Sequence, residues 1–247
     1  MPFPLAHPAA TLPLRRWCPQ YFDFPALVVG SLTPDLATSI DDLEYFSHTL
    51  LGTFAFCLPI GLLTLWIFHR VRLPTVSTLP NPHQAALLRL CTGPPNSWAH
   101  IIISLLLGSW LHIVWDLFTH DHSWLVNHVA LLSFPLAGVA VNHLCWLLST
   151  LAGSASLFAM YLSLLRKEHP GPWPFSPRER RAYILWLCIF TLPLAGAVPL
   201  ALHEAAPAYS TSVLIRYLAM YYMGCAYLTL ALAGFFFRLR TNTGGVL

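Results

Sequence analysis

The run Leu111-His112-Ile113-Val114-Trp115-Asp116-Leu117-Phe118-Thr119-His120 places an imidazole, a carboxylate and a second imidazole at intervals of four. At about 100° per residue, these three side chains fall within about 80° of one another and share one helical face over two turns. An imidazole and a carboxylate one turn apart can grip a single divalent cation, by the same geometry as two histidines at i and i+4 in helical zinc sites. The alternative is that His112 and Asp116 pair with each other or with neighbouring helices, as intramembrane polar residues commonly do. A metal is the stronger compensation. Structural zinc binding runs to roughly 10 to 16 kcal/mol, whereas inserting one acid near mid-bilayer costs about 2.5 to 3.5 kcal/mol.

Three further residues extend the set. Asp35 lies in Gly30-Ser31-Leu32-Thr33-Pro34-Asp35, where Pro34 is expected to end a short apolar helix and turn the chain. His48 follows the acidic run Asp41-Asp42-Leu43-Glu44, and His7 stands next to Pro8. Singly, each has a bland explanation: Asp35 as a turn or cap residue, His48 as an interfacial histidine, His7 as a polar residue before a helix. Their joint placement opposite an intramembrane His-x3-Asp is what those explanations leave over. His122, in the cluster His120-Asp121-His122, ranks first among further ligands, ahead of His128, His143 and His203.

The elements that must position these groups follow from composition. Of 247 residues, 56% are apolar and 9% charged, against roughly 25% charged in an ordinary soluble domain. A soluble globular protein is excluded. A net charge of +3 is too weak for a nucleic-acid partner, which needs a dense basic stripe. The six cysteines form no C-x-x-C pair and read as small core residues. Arg15 and Arg16 follow the first apolar stretch instead of preceding it, the wrong order for a cleaved signal peptide, so Met1 is expected to stay.

Runs of about 20 residues with few charges predict five spans: Thr49 to Phe68, His100 to Thr119, His143 to Leu165, Ala182 to Leu202 and Val213 to Phe237. Pro8 to Leu14 and Pro25 to Leu32 are too short to span. They are expected as short interfacial helices, and the apolar stretch within 120–142 as a re-entrant or interfacial segment. The fold class is therefore all-α: a polytopic membrane protein with about five transmembrane helices plus short N-terminal interfacial helices. One membrane domain is expected over 1–247, with 1–48 as an outer-face segment and 49–247 as transmembrane helices and loops. Ten of the thirteen Lys and Arg residues fall in three segments on one side of those spans, and most acids fall on the other. The positive-inside rule then puts the N-terminus and the metal ligands outside and the C-terminus in the cytoplasm.

The opening Met1-Pro2-Phe3-Pro4-Leu5-Ala6-His7-Pro8-Ala9-Ala10, the segment Gly30 to Asp35, His48-Thr49-Leu50-Leu51-Gly52 and the run Leu111 to His120 together resemble an uncharacterised bacterial integral-membrane family, domain of unknown function 4184. That group in turn is similar to membrane-bound metal-dependent hydrolases of the YdjM type and, more distantly, to zinc-dependent bacterial phospholipases C. The resemblance implies a bacterial cytoplasmic membrane. It also implies that Asp35, His48, His112 and Asp116 hold one metal, that Asp116 bridges to a second held partly by His7, and that His120 or His122 matches the later histidine of the pattern. Two departures limit the expected set to one or two ions. The phospholipases use a free N-terminal residue and a His-x3-Glu, whereas this chain starts with Met1 and His143 is followed at the fourth position by Leu147.

The expected chemistry is metal-assisted hydrolysis at the outer face of the membrane, with zinc as the first choice of divalent metal. Asp35 and Asp116 are the expected catalytic carboxylates, Asp35 as a ligand that doubles as base. A lipid phosphoester or another membrane-embedded ester is the natural substrate class, and the bilayer is the one definite partner. A non-enzymatic protein that holds or moves a metal is the second reading, and a scaffold whose His and Asp fix helix packing is the third.

Overall fold

A computed structural model describes residues 4–37, 41–91, 96–121, 123–168, 176–205 and 211–242. Five helices among them are long and apolar enough to cross a membrane: Leu50–Ser77, Trp98–Asp116, Val141–Leu165, Glu179–Ala205 and Tyr217–Leu239. The described residues are all-α apart from one two-stranded hairpin. By internal packing it divides into two compact units, Met1–Leu65 with Pro94–Ser163, and Trp66–Gly93 with Leu164–Leu247.

The first unit begins with a 3-10 helix, Pro4–Thr11, which runs into α1 (Leu12–Trp17) and, after a turn, α2 (Phe24–Gly30). Pro25 occupies the first turn of α2, where its missing N–H costs nothing, and the Asp23 side chain caps the helix by accepting from the Ala26 N–H at 2.8 Å. The 3-10 helix and α2 pack against α7 (Trp98–Asp116), with α2 making the larger contact. At one end the Asp23 N–H donates to Ser104 Oγ and Asn96 Nδ2 donates to Asp23 Oδ2. Along the contact a Cβ on Gly30 would collide with the Leu105 carbonyl oxygen, and one on Gly108 with that of Leu27. The two glycines thus let the backbones touch, the small-residue device of helix packing in lipid. Ser109 Oγ fastens the contact by donating to the Gly30 carbonyl oxygen at 3.0 Å.

Two local expectations are corrected. Pro34 does not end the apolar helix: α2 stops at Gly30, because Ser31 and Thr33 hydroxyls capture the Val28 and Gly30 carbonyls, and Pro34 starts a separate 3-10 turn, Pro34–Ala37. Helix α7 ends at Asp116, short of Thr119, because Phe118 and Thr119 N–H groups take i−3 carbonyls and Ser123 Oγ donates to the Leu117 carbonyl at 2.6 Å.

After α3 (Asp41–Ser47), the first span is assembled from α4 (Leu50–Gly52), a π-helical turn (Thr53–Cys57) and α5 (Leu58–Ser77). Thr49 caps its start by accepting from the Gly52 N–H. The span outruns the predicted end at Phe68. Arg70 and Arg72 continue the helix and lay their guanidinium groups over Trp66 and Phe68, which keeps the charges at the end of the apolar stretch.

Between the first and second spans lies α6 (His83–Cys91), and between the second and third lie α8 (Trp124–His128), α9 (Ala130–Ser133) and a hairpin pairing β1 (Pro135–Leu136) with β2 (Val139–Ala140). Its two turn residues, Ala137 at φ 53° and Gly138 at φ 84°, are both left-handed, as a two-residue hairpin turn requires. The third span is α10 (Val141–Leu165).

In the second unit α11 (Pro177–Ala205) packs against α12 (Thr211–Asn242) around buried Trp186, Ile189 and Phe237. Tyr222 donates its hydroxyl hydrogen to the Phe190 carbonyl. Charge divides with the units. The first contains seven acids, Asp23, Asp35, Asp41, Asp42, Glu44, Asp116 and Asp121, and only Arg15 and Arg16 as cations. The second holds every other Lys and Arg.

Candidate metal centre

His112 and Asp116 stand one turn apart at the end of α7, both buried, with His112 Nε2 at 3.1 Å from Asp116 Oδ2. The 3-10 turn after α2 brings Asp35 to the same point, its Oδ1 3.3 Å from His112 Nε2. His48, between the end of α3 and the Thr49 cap, enters from a third direction with Nε2 at 3.5 Å from Asp116 Oδ2. Ligand atoms of Asp35, His48, His112 and Asp116 all lie within 4.8 Å of one another. Donors about 2.0 to 2.1 Å from one tetrahedral ion stand about 3.3 Å apart, close to the three contacts of 3.1, 3.3 and 3.5 Å just given.

Backbone carbonyls fix both imidazoles in the ligand tautomer. A carbonyl can only accept, so the 2.8 Å contact from His112 Nδ1 to the Ser31 carbonyl puts the hydrogen on Nδ1 and leaves Nε2 as a lone pair facing the cluster. His48 repeats the arrangement, with Nδ1 2.8 Å from the Glu44 carbonyl. Loop positions are locked in turn: Ser47 Oγ donates to the Pro34 carbonyl at 3.0 Å, tying the segment before His48 to the turn that carries Asp35.

Despite this crowding, His112 Nε2 and both oxygens of Asp116 are buried without a hydrogen-bonded partner. Buried polar atoms are normally satisfied, and a carboxylate left unsatisfied costs several kcal/mol, of order 1 to 3 or more. The atoms converge on a common point instead of pairing off. Two imidazole nitrogens and two carboxylates are a donor set that suits a divalent cation.

His7 and His120 flank the other oxygen of the same carboxylate. His7 Nε2 is 3.6 Å and His120 Nδ1 3.7 Å from Asp116 Oδ1. Burial, reinforced by the neighbouring His112, pushes the His7 imidazole down to about 4, so it is neutral near pH 7. His48 is shifted the other way: burial opposes its charge, but the neighbouring Asp116 carboxylate and the Glu44 carbonyl outweigh it and raise the pKa.

His120 reaches this position by a different route from the one its spacing suggests. The regular helix has ended, and the chain turns so that His120 Nδ1 lies 3.1 Å from the Asp116 carbonyl. His120 therefore stands beside the four-residue set and not within it. His122 lies outside the described residues. His143 pairs with Asp121 at 2.9 Å, and His128 Nδ1 lies 2.8 Å from the Trp124 carbonyl. The orienting carbonyls of Ser31 and Glu44, and the Gly30–Gly108 contact that sets the depth of α2, have no signature in residue type beyond small residues in apolar helices.

The family profile described as domain of unknown function (DUF4184) matches residues 1–235. The chain belongs to this family. The matched region contains all four clustered ligands and both flanking histidines, so the site lies inside the family's own domain. No curated protein and no solved structure matches the chain.

Proposed function

We propose that the protein is a membrane-embedded metal-dependent hydrolase acting at the outer face of the membrane on a lipid phosphoester, with zinc as its divalent cation. The observation that carries this reading is the convergence of His48 Nε2 and His112 Nε2 on one oxygen of the buried Asp116 carboxylate, with Asp35 Oδ1 against the same His112 nitrogen and the second Asp116 oxygen facing His7. A catalytic site needs ligands preset in geometry and a position left for substrate, and a bridging carboxylate can serve one ion or two.

Bound there, a zinc-like ion supplies Lewis-acid polarisation of the phosphoester and a nucleophilic water at neutral pH. The chain does the rest. The Ser31 and Glu44 carbonyls hold the two imidazoles in the ligand tautomer, and Asp116 joins the two sides of the cluster. Asp35, on a turn at the edge of the cluster, accepts the proton released in hydrolysis. Ten of the thirteen Lys and Arg residues lie in the segments after the first, third and fifth predicted spans, which supports a cytoplasmic C-terminus and an external site by the positive-inside rule.

The test is the full chain purified in detergent and presented with vesicles of phosphatidylglycerol and phosphatidylethanolamine. Zinc-dependent release of a phosphorylated headgroup, lost in Asp35→Asn with metal content retained, is the expected result; bound zinc with no hydrolysis of either lipid overturns it. A second reading, a structural metal site, is favoured by the number of protein ligands, since four complete a tetrahedral shell. X-ray absorption separates the two: a water in the coordination shell supports catalysis, and four protein donors alone support structure.

A further inference from the structure

The 3-10 helix Pro4–Thr11, the end of α7 and the first half of α10 leave a groove of about 180 Å3 between them. Gly153 creates it: a Cβ there would press on the Ala6 carbonyl at 2.9 Å, so only glycine lets the 3-10 helix come this close to α10. Ala9, Ala10, Ala152 and Trp115 are among the residues of its wall. Two serines also line it, but their hydroxyls are spent within their own helix, Ser149 on the Trp146 carbonyl and Ser156 on the Ala152 carbonyl. An apolar occupant is therefore the one that loses nothing by entering.

One wall residue is different in kind. His7 is 4% exposed, its Nε2 has no hydrogen-bonded partner, and that nitrogen lies 3.6 Å from Asp116 Oδ1. The groove is thus lined mainly by apolar residues, and the one histidine in its wall stands between it and Asp116 of the candidate metal centre. A ligand matching both must be an amphiphile whose polar ester sits at the Asp116 cluster and whose tail continues past His7. The source is the bilayer, because the apolar window of α10 buries none of its residues inside the protein and so leaves the groove flanked by a lipid-facing helix.

We infer that this groove receives the first carbons of an acyl chain of a bilayer lipid and so positions the headgroup ester at the metal centre. The inference deepens the hydrolase reading and rests on it, by naming the substrate as an acylated lipid entering sideways from the membrane.

The full-length protein is reconstituted in vesicles of phosphatidylglycerol and phosphatidylethanolamine containing a phosphatidylglycerol with a diazirine near the ester end of one acyl chain. After irradiation, labelled peptides are mapped. Label is expected on 149–156 and on the 3-10 helix, falling at least fivefold in Ala152→Phe and in Ser149→Leu, each of which fills the groove from an outward helix position while the bound metal is retained. Label spread evenly over Leu148, Leu151 and Phe158, exposed on the same helix, and unchanged in both variants, overturns the inference. A groove labelled and blocked in this way, in a protein that hydrolyses neither lipid, leaves the binding site standing and removes the hydrolase reading. Hydrolysis that proceeds at full rate in both filled variants does the reverse.

Discussion

His7 and His112 stack face to face, with ring centroids 3.8 Å apart and planes 23° from parallel. The two imidazoles share Asp116, His112 facing Oδ2 and His7 facing Oδ1. Two stacked rings at this distance do not both become imidazolium cations without a large repulsion, and a metal cation at the carboxylate would supply the positive charge instead.

Asp116 is accordingly the residue whose loss does most. Asp116→Ala removes the carboxylate that faces His7, His48 and His112 together, and it is expected to bring bound metal to background while the protein remains inserted. Elemental analysis of the detergent-purified protein, set beside His112→Ala, checks this. Metal content equal to wild type in Asp116→Ala contradicts the assigned centre.

Metal binding to the folded form alone must also raise stability. At a free zinc concentration of 100 times Kd, the gain is about 2.7 kcal/mol by mass action. The melting temperature should rise with added zinc and fall with chelator in the wild type, and stay fixed in Asp116→Ala. An equal shift in both would place zinc elsewhere on the chain.

The contact between α2 and α7 gives a prediction in which no ligand is touched. Gly108→Ala forces a methyl against the Leu27 carbonyl and is expected to destabilise by about 1 to 3 kcal/mol, the usual cost of overpacking. Because α2 leads into the turn bearing Asp35, and Ser31 orients His112, metal content should fall with it. Gly224→Ala is the control: nothing lies within 4 Å of a Cβ there, and a helix gains slightly from alanine. Thermal unfolding and metal content of both variants decide the point.

Orientation is checked with reporters. A fluorescent protein fused after Leu247 should fold and fluoresce on the cytoplasmic side, and an epitope before Met1 should be accessible from outside intact cells. The reverse pattern would put the site in the cytoplasm and remove the outer-leaflet substrate.

Much of this was legible in the chain. Five charge-poor runs mark the five long apolar helices, because a bilayer demands about 20 apolar residues whatever their partners. His112 and Asp116 declare themselves by spacing, since a helix fixes the relation of i to i+4 without outside help. His120 shows where that logic stops. Its spacing is the same, but the helix ends at Asp116 under the pull of hydrogen bonds from Ser123 and from the turn, and four residues no longer mean one more helical turn.

Residue types and their periods were thus enough for the spans, the shortage of charge, the segregation of its two signs along the chain, and the donors available to a cation. They could not say that Asp35, His48 and the His112–Asp116 pair meet at one point, because segments far apart in the chain are brought together by packing, here by the backbone contact at Gly30 and Gly108 and by the Ser47 to Pro34 hydrogen bond. Nor could they give the tautomers, which depend on the carbonyls of Ser31 and Glu44. Periodicity is a local property of a helix, whereas a metal centre is made of distances between segments, and those exist only once the helices have packed.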